Sequence, residues 1–536
     1  RSTPSNSSAA SDVYKRQYHS GAGTSWTNFL TTCEADGWRA ASLVTHNSGL
    51  LHETPTLLPA PGGGLRLVST DDGRMRRSAY FGNMGWRVRR RSRNAPPAST
   101  RGYPTYPDQW VNWEIAVADT GRVAPPPELE LMPVAEGKRN GPSPAAKAEA
   151  RDVKAIRGYR ATVGGKTLRI LRGEFHRHTE ISGDGGGDGT VFDMWRYGLD
   201  MAAMDWIGFG DHDNGSGREF TWWLSQKTTD VFYIRDHFTS MFTYERSVSY
   251  PDGHRNAVFA TRGIRTLPRL RGGFGKPADD QPEDLKRPHT PDTQMFYKYL
   301  KHFGGVCSSH TSGTDMGTDW RDNDPVAEPI VEIYQGDRQS YERPGAPRTN
   351  TADYSIGGWR PLGFVSRALK MGYRLGFQSS SDHISTHMSY CNVWVEKPTR
   401  EAIIEAMKLR RIYGATDNII ADVRCGDHFM GEEFTASQPP TLRVKLIGTA
   451  PFARIVIVKD NEYVYAIEPN RKTVEFTWTD RDPKPGKTSY YYVRGIQVGQ
   501  DFTRTLRSLA TKERIELTLN NGEVVWVSPM WITYKP

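Results

Sequence analysis

The sequence has few cysteines, no long apolar run and no charge-rich half, and each absence excludes a class of protein. Four cysteines in 536 residues, with no CxxC pair, exclude a disulfide scaffold and a cysteine-type zinc finger. No window approaches the ~18 uninterrupted apolar residues that a membrane-spanning helix requires. The 52 glycines, 34 prolines and 37% hydrophobic residues exclude a fibrous or wholly disordered chain. The length allows about two to four domains.

The net charge is concentrated in one short segment. Of the formal charge of +9, eight arginines between Arg74 and Arg93, with no acidic residue among them, supply +8. The rest of the chain is therefore nearly neutral. A basic strip can bind phosphates or acidic polymers, but a solvated arginine-rich face of a β domain is the simpler explanation. Nucleic acid is accordingly not expected as a partner.

The N-terminal part of the chain falls into three segments by composition. Residues 1–17 are polar, lack an apolar signal-peptide core and resemble a translated sequencing-adapter tail. We therefore exclude them from the fold and leave localisation open, an extracytoplasmic one included. Residues 18–122 contain short apolar runs broken by Gly, Pro and Asp, which predict an all-β segment with a loose resemblance to a partial β-propeller. Residues 123–164 are rich in Pro, Ala, Lys and Glu and are interpreted as a linker.

Strands and helices alternate in residues 165–438. Strand-like runs such as LRILRGEFH and WIGFGDH are separated by helical patterns such as TPDTQMFYKYLKHFGG. This alternation predicts an α/β domain whose parallel sheet closes into a barrel. In residues 439–536, seven short alternating runs predict an accessory β-sandwich. The prediction as a whole is a multidomain chain with a central barrel between two β-rich segments.

Metal-competent side chains stand at the ends of the predicted strands of the α/β domain. Parallel barrels bring the carboxyl ends of their strands to one face, where catalysis occurs in that architecture. In an extended segment residues i and i+2 point to the same side, so the two imidazoles of the first group can reach one cation. Imidazole with carboxylate suits Zn, Mn or Fe, and a carboxylate can bridge two ions. The groups in chain order are His176, His178 and Asp184; Asp211, His212 and Asp213; Glu245 and His254; His310; and Asp382, His383 and His387.

Each group taken alone also has an ordinary structural explanation. A pair of histidines in an HxH pattern occurs in many proteins at surfaces or in hydrogen-bond networks. His212 can belong to a network with the adjacent aspartates, Glu245 can form an ion pair, and Asp382 can form a turn. Cys307 is interpreted as a small apolar core residue rather than a ligand. The recurrence of ligand types at five successive strand ends favours the metal interpretation.

Together the motifs resemble the PHP (polymerase and histidinol phosphatase) superfamily of metal-dependent phosphoesterases. The similarity is carried by HRHTEISGDG, GFGDHDNG, TYERSVSYPDGH, SSHTSG and SSSDHIST, which occur in the family's order over roughly residues 170–420. The resemblance implies a distorted seven-stranded β/α barrel that holds two or three divalent ions, with Zn, Mn and Fe all compatible with these ligand types.

The resemblance also implies which residues bind each ion. The first ion would be bound by His176, His178, Glu245 and Asp382. Glu245 would bridge to a second ion held by His254 and His310. Two ions ~3.5–4 Å apart hold a bridging hydroxide and clamp the phosphoryl oxygens during in-line attack on a phosphate ester, so that no Ser or Cys nucleophile is required.

The third ion is where this sequence departs from the family. Asp184 and His212 would hold it, helped by a histidine of the last motif. The family spaces the Asp and His of that motif by one residue, whereas Asp382 and His383 are adjacent here. Either His383 binds with altered geometry, or His387 reaches in instead.

Three further residues are candidates for catalytic roles. Arg246 and Arg255 each follow a proposed ligand and can neutralise phosphate charge; ordinary pairing with the carboxylates of the ligands is an equal alternative. Asp211 can orient His212 or take part in proton transfer, and orientation is favoured. Two long polar loops, residues 312–325 and 335–358, follow strand ends and are expected to cover the site.

The leading functional prediction is a metal-dependent hydrolase that acts on a small-molecule or polymeric phosphate ester. The alternative is a carbohydrate- or polymer-binding surface protein with an accessory metal barrel, suggested by the flanking β segments and the arginine strip. A nuclease or proofreading role is disfavoured because the chain outside the arginine strip is nearly neutral. A different hydrolytic reaction at the same metals stays open, since fold and metal site do not fix the substrate. The sequence leaves the oligomeric state open too.

Overall fold

The structure is a computed structural model that describes most of the chain from residue 141 onward and shorter segments before it. The described residues are 18–20, 23–25, 29–31, 33–34, 37–38, 40, 42–43, 55–60, 64–71, 114–122, 141–179, 181–182, 188–213, 219–267, 269, 291–336, 339–355, 357–383, 388–507 and 514–536. The tail of residues 1–17 and the arginine strip lie outside them. The chain divides into two compact units, which we describe separately: Arg1–Ser143, Thr179–Met194 and Ser216–Leu224; and Pro144–His178, Trp195–Gly215 and Ser225–Pro536.

The first unit contains short antiparallel strands. Its strands are β1 (Tyr18–Ser20), β2 (Gly23–Ser25), β3 (Phe29–Leu30), β4 (Cys33–Glu34), β5 (Gly37–Trp38), β6 (Ser42–Leu43), β7 (Thr56–Ala60), β8 (Gly64–Asp71) and β9 (Glu114–Arg122). Strands β7, β8 and β9 form a three-stranded sheet, and the others pair as β1–β2, β3–β6 and β4–β5. The all-β segment over residues 18–122 and its likeness to a propeller both stay predictions.

The second half of the segment interpreted as a linker is regular secondary structure. Helix α1 (Pro144–Gly158) begins at a proline, which suits the first helical position, and buries Val153 and Ile156. Strand β10 (Arg160–Val163) follows and pairs antiparallel with β11 (Lys166–Glu174). The two residues between these strands, Gly164 and Gly165, both have positive φ, as a tight two-residue hairpin turn requires. The alanine-rich composition that suggested a linker is therefore that of a helix.

The second unit is built on one long mixed sheet. The remaining strands of its first half are β12 (Trp206–Gly208), β13 (Thr239–Arg246), β14 (Arg255–Phe259), β15 (Val306–Ser309), β16 (Ile330–Gln335), β17 (Gly376–Ser380), β18 (Tyr390–Val395) and β19 (Ile412–Ala415). Their order is β17-β16-β15-β14-β13-β12-β11-β18-β19. We call these strands the central sheet.

The prediction of a parallel sheet is wrong at β14 and at β18. Pairs β11–β12, β12–β13, β15–β16 and β16–β17 are parallel, but β14 runs antiparallel to both of its neighbours, and β18 runs antiparallel to β11 and β19. The connection from β13 to β14, residues 247–254, is shorter than the dozen or so residues that a parallel crossover requires. The chain therefore turns back on itself at this point, and β14 enters the sheet as one arm of a hairpin.

Helices connect several of these strands. They are α2 (Val191–Arg196), followed by a π-helical turn (Tyr197–Met201), α3 (Glu219–Val231), α4 (Pro291–Phe303), a 3-10 turn (Pro361–Gly363), α5 (Val365–Lys370) and α6 (Arg400–Lys408). Helix α4 is followed by Gly304, whose φ of 70° allows the chain to leave the helix. Helix α6 has the predicted N-cap, since the Thr399 hydroxyl accepts from the Ala402 amide. Among the described helices, none has the length and apolar character needed to span a bilayer.

The far edges of the central sheet approach each other. The Ser379 hydroxyl of β17 donates to the carbonyls of Tyr390 in β18 and Ala415 in β19, at 2.8 and 3.3 Å. No backbone ladder joins β17 to β19 in the described part of the chain, so a closed seven-stranded barrel stays a prediction. Cys307 is fully buried in β15, as expected of a core residue.

The remaining strands complete the second unit, and we call residues 420–536 the C-terminal β module. Its strands are β20 (Ile420–Cys425), β21 (His428–Phe429), β22 (Glu433–Ala436), β23 (Thr441–Ile447), β24 (Phe452–Lys459), β25 (Glu462–Ile467), β26 (Thr473–Thr479), β27 (Thr488–Gln497), β28 (Asp501–Arg507), β29 (Arg514–Asn520), β30 (Val524–Val527) and β31 (Met530–Tyr534). One sheet has the order β21-β20-β23-β26, and strands β30-β27-β24-β25 form another. The two sheets share one apolar core, and the accessory sandwich stays a prediction.

The C-terminal β module is continuous with the central sheet. Strand β19 pairs antiparallel with β30, with Tyr413 opposite Val527 and Ala415 opposite Val525. The backbone ladder therefore runs from the strands that carry the metal-competent side chains into the C-terminal β module without a break. The predicted boundary at residue 438 falls inside one compact unit.

Candidate metal centre

The ends of the central strands bring the predicted ligands together. His176 and His178 follow β11, His212 follows β12, and Glu245 lies near the end of β13. The others are His254 before β14, His310 after β15, and Asp382 and His383 after β17. Two candidates, Asp184 and His387, lie outside the described residues. Among the described residues, the triplets of donors with atoms within 4.8 Å of one another are His176, His178 and Asp382; His176, His310 and Glu332; His178, His212 and Glu245; and Glu245, His254 and His310.

Glu245 stands at the centre of this cluster, and its two carboxylate oxygens face different imidazoles. Oε1 lies 2.5 Å from Nδ1 of His254 and 3.4 Å from Nε2 of His310. Oε2 lies 3.2 Å from Nε2 of His178 and 3.3 Å from Nδ1 of His212. One buried carboxylate thus belongs to two groups of nitrogen donors, which is the arrangement expected of a carboxylate that bridges two cations.

Asp382 organises the side of the cluster nearest β11. Its Oδ1 lies 2.8 Å from Nε2 of His178 and 3.3 Å from Nε2 of His176. The backbone is interlocked as well, because the Asp382 amide donates to the His176 carbonyl at 2.8 Å. Asp382 has a φ of 66°, a left-handed conformation that costs a residue other than glycine about 1–3 kcal/mol. The turn is held in this conformation at the point where a ligand is needed.

His383 lies next to the cluster rather than within it. Its ring stacks on that of His178, with centroids 4.0 Å apart and an angle of 19° between the planes. Its Nε2 lies 3.5 Å from Oδ1 of Asp382. The side chains of His212 and His383 are 10% and 15% exposed, whereas those of Glu245 and His178 are each 1% exposed. Solvent therefore reaches the cluster from the side of His212 and His383.

Burial and mutual charge shift the pKa values of the cluster. Burial alone would raise the pKa of Glu245, but the imidazoles of His212, His310 and His254 outweigh it and hold the value well below its ordinary one. Burial would likewise raise the pKa of Asp382, but His176 and His383 outweigh it and lower the value. The carboxylates are therefore ionised and ready to bind a cation.

Two of the imidazoles are kept neutral. Burial, with His176 as the next largest influence, lowers the pKa of His310 to about 3. Burial also lowers the pKa of His254, against the opposing effect of Glu245. A neutral ring with an available lone pair is the form that binds a metal ion. His176 behaves differently: burial would lower its pKa, but Glu332 and Asp382 raise it well above the ordinary value.

The polar atoms of the cluster fit divalent cations. Oε2 of Glu245 and Nε2 of His310 are buried and make no hydrogen bond of good geometry within the described part of the chain, although other donors and acceptors surround them. A buried polar atom without a partner costs about 1–3 kcal/mol. A cation placed among these nitrogens and oxygens would satisfy them together, and the donor set of imidazole and carboxylate suits Zn, Mn or Fe.

Glu332 belongs to the site and was not among the sequence candidates. It is fully buried in β16, and its two carboxylate oxygens lie 3.2 and 3.1 Å from Nδ1 of His176. This leaves Nε2 of His176 facing Glu245 and Asp382. A carboxylate that binds the far nitrogen of a metal-binding histidine fixes its tautomer and orientation. A lone acidic residue within the apolar strand PIVEIYQ was the signal available in the sequence, because a buried carboxylate requires a partner.

The structure does not bring Arg246 and Arg255 to the cluster. Arg246 pairs with Asp292 of α4 at 2.7 Å, and its guanidinium lies over the ring of Phe296. Arg255 pairs with Glu328 at 3.0 Å. Both contacts favour the alternative role of pairing with carboxylates, although these carboxylates are not metal ligands.

Asp211 is positioned close to the cluster through its backbone. Its carbonyl accepts from the Glu245 amide at 2.9 Å, and its side chain is buried. The neighbouring Asp213 pairs with Arg269 at 2.9 Å. His212 between them contacts Ser247, with Nδ1 2.5 Å from the hydroxyl oxygen. Ser247 therefore helps to hold the His212 ring, and the orienting role of Asp211 stays a prediction.

Comparison with known proteins gives weak likenesses. No family model matches the chain. Uncharacterized proteins of Chlamydia trachomatis serovar D and Chlamydia muridarum are 25% and 24% identical over 274 residues, which is 45% of this chain and 40% of each relative. An uncharacterized protein of Chlamydia pneumoniae is 22% identical over 275 residues, 46% of this chain and 40% of that protein. The chain thus spans about 40% of the length of the curated relatives that it matches.

One solved structure is also similar. It is a two-domain protein from Bacteroides vulgatus containing a predicted PHP-like metal-dependent phosphoesterase, with a TM-score of 0.31 and 13% identity. The likeness covers 68% of this chain and 97% of that one. At this TM-score it has no bearing on the assignment of this chain.

Proposed function

We propose that the protein is a metal-dependent phosphoesterase whose divalent ions are bound around Glu245. The observation that carries the proposal is the division of the Glu245 carboxylate between two groups of imidazoles, His254 and His310 on Oε1 and His178 and His212 on Oε2. The order of the five motifs, which resembles the PHP superfamily, adds phosphate esters as the substrate class. The proposal includes a closed seven-stranded barrel over residues 165–438, with residues 439–536 as an accessory sandwich.

Two or three ions of Zn, Mn or Fe are proposed. The first would be held by His176, His178 and Asp382, and the second by His254 and His310, with Glu245 between them. His212 and His383, with Asp184, are proposed for a third. Bound divalent ions polarise a phosphoryl group and activate water for its hydrolysis.

The chain's own residues prepare the site for that chemistry. The surrounding imidazoles lower the pKa values of Glu245 and Asp382, so that neither carboxylate has to lose a proton when cations bind. The low exposure of His178 and Glu245 keeps bulk water away from the centre of the cluster. The substrate is proposed to enter beside His212 and His383, the more exposed members.

The test is metal content followed by activity. Purified protein would be analysed by elemental mass spectrometry and then assayed against p-nitrophenyl phosphate and bis(p-nitrophenyl) phosphate with the ion that it retains. Two or three equivalents and hydrolysis of either ester would support the proposal. The double variant His176→Ala/His178→Ala should lose both metal and activity, whereas His237→Ala/His302→Ala, at exposed histidines, should keep both. Failure to bind any of the three metals, or full activity in the first double variant, would overturn it.

A further inference from the structure

We infer that Gln335 is a positioning residue for two of the proposed metal ligands, Asp382 and His310, and that the C-terminal β module holds Gln335 in place. The inference rests on the proposed function and assigns a role to a residue outside the five motifs. It also gives the β module a part in the metal site. Gln335 is the last residue of β16 and is 1% exposed.

The amide nitrogen of Gln335 fixes Asp382. Nε2 donates to Oδ2 of Asp382 at 2.7 Å. The other oxygen, Oδ1, faces His178 at 2.8 Å and His176 at 3.3 Å. One oxygen of the Asp382 carboxylate therefore accepts from a neutral donor, and the other oxygen faces the imidazoles of the cluster. This division presents Asp382 to a cation through a single oxygen.

The amide oxygen of Gln335 fixes His310 through Thr311. Oε1 accepts from the Thr311 hydroxyl at 3.2 Å. Since that hydroxyl donates to Gln335, its oxygen is left to accept from Nδ1 of His310, which lies 2.8 Å away. Nδ1 then carries the proton, and Nε2 keeps the lone pair that faces Glu245 at 3.4 Å. The left-handed φ of 51° at Thr311 is part of this arrangement.

The orientation of the amide is determined by its neighbours. Tyr341 donates a second hydrogen bond to Oε1, at 3.1 Å. A flipped amide would place Oε1 against the Asp382 carboxylate and the amide protons against two hydroxyls. Only the observed orientation gives donors on the Asp382 side and an acceptor on the side of Thr311 and Tyr341. One side chain thus aligns ligands that follow β15 and β17.

The C-terminal β module anchors the loop that carries Tyr341. The next residue, Glu342, is buried and accepts from three side chains of that module. Its Oε1 accepts from Tyr492 at 2.8 Å and from Arg494 at 2.6 Å, and its Oε2 accepts from Trp526 at 2.9 Å. A charge-assisted set of this kind holds its carboxylate more firmly than neutral hydrogen bonds do. The contacts therefore lead from β27 and β30 through Glu342, Tyr341 and Gln335 to Asp382.

The experiment compares Gln335→Glu, Tyr341→Phe and Glu342→Gln with the wild-type chain. Gln335→Glu replaces the donor to Asp382 by an oxygen, Tyr341→Phe removes one hydrogen bond to Oε1, and Glu342→Gln weakens the anchor. The matched control is Gln500→Glu, which introduces the same charge at an exposed glutamine. Metal affinity would be measured by competition with a chelator, coordination by the visible spectrum of the Co²⁺-loaded protein, and folding by circular dichroism.

We expect Gln335→Glu to lose about 10- to 100-fold in metal affinity, the range found for partners of metal ligands. Its Co²⁺ spectrum should change, because Asp382 is free to bind through both oxygens. Tyr341→Phe and Glu342→Gln should show smaller losses with a spectral change in the same direction, and Gln500→Glu should match the wild type. A purely structural role for Gln335 would lower the melting temperature and leave the Co²⁺ spectrum of the folded protein unchanged.

Three results would overturn the inference in distinguishable ways. Wild-type affinity and spectrum in folded Gln335→Glu would reject the role of Gln335 while leaving the proposed function intact. If Gln335→Glu does not fold, an unchanged spectrum in Tyr341→Phe would reject it instead. A wild-type chain that binds no Co²⁺, Zn²⁺ or Mn²⁺ would overturn the proposed function, and this inference with it.

Discussion

Nδ1 of His254 lies 2.5 Å from Oε1 of Glu245, and both side chains are buried. The contact joins the hairpin arm β14 to the strand β13 at the centre of the cluster. Because the other oxygen of Glu245 faces His178, any change at this carboxylate acts on both groups of imidazoles at once. Glu245 is therefore the residue whose replacement should be most damaging to metal binding.

Glu245→Gln should remove at least about one ion per chain and lower activity by more than the ~10- to 100-fold typical of a partner of a metal ligand. The amide keeps the shape but loses the charge that two cations would share. Elemental mass spectrometry and hydrolysis of p-nitrophenyl phosphate measure the two effects. Glu462→Gln, at an exposed glutamate, serves as the control. Retention of full metal content in Glu245→Gln would contradict a bridging role.

Glu332→Gln should weaken metal binding by about 10- to 100-fold without removing a ligand. Glu332 contacts Nδ1 of His176, and a neutral amide makes the ring a weaker base. Glu328→Gln is the matched control, because Glu328 is an equally buried carboxylate that pairs with Arg255 rather than with a histidine. Chelator competition should separate the two variants. Equal metal affinities in both would reject the assigned role of Glu332.

The metal-free protein should lose stability as the pH falls below about 6.5, the ordinary pKa of an imidazole. Burial lowers the pKa of His310 to about 3, so between these values the unfolded chain binds a proton that the folded chain does not, and unfolding becomes more favourable. Glu245 and Asp382, whose pKa values are lowered, add stability that is present above their ordinary pKa values and lost as the pH falls. His176 acts oppositely, because the stability from its raised pKa is lost as the pH rises.

Thermal unfolding of chelator-treated protein between neutral and acidic pH measures this dependence. His310→Gln should show a shallower slope below about pH 6.5, since the group with the lowered pKa is gone. His302→Gln, at an exposed histidine, should keep the wild-type slope. Identical slopes in all three proteins would show that His310 does not contribute.

Arg246→Ala should lower the free energy of unfolding by about 3–5 kcal/mol, because it removes the charged group that pairs with the buried carboxylate of Asp292. Metal affinity of the folded protein should stay unchanged. Arg262→Ala breaks an exposed pair with Asp230 and should cost at most about 1 kcal/mol. Chemical denaturation measures both. A large loss of activity in folded Arg246→Ala would restore the phosphate-binding role considered from the sequence.

The positions of the candidate ligands could be predicted from the sequence because they follow a rule that needs no tertiary information. Residues i and i+2 of an extended segment share a side, so His176 and His178 could be paired, and strand ends could be expected on one face. The same rule applies to Arg246, which follows the inward-facing Glu245 and therefore points to the opposite side of the sheet. From the sequence, a phosphate contact and pairing with carboxylates were equal alternatives for Arg246, and the pleat of the strand together with the Asp292 pair favours pairing.

Other features could not be predicted because only the folded chain creates them. Glu332 and Gln335 are ordinary residues of a strand until the neighbouring strands place His176 and Asp382 within hydrogen-bond distance. The antiparallel direction of β14 follows from the short connection between β13 and β14. The sequence motifs do not show where these two strands end, so the length of the connection could not be predicted from them. The helix at residues 144–158 was hidden by proline and alanine, which are as typical of a helix start as of a linker.

The ladder between β19 and β30 has a consequence for how this protein can be divided or recombined. A chain cut at residue 438 would present β19 as a bare edge, and unpaired edges template association with other chains. It would also lack the three donors that hold Glu342. In evolution, a gene fusion or exchange that moved the candidate metal centre to another protein would have had to carry residues 439–536 with it. The central sheet and the C-terminal β module are therefore expected to have been inherited together.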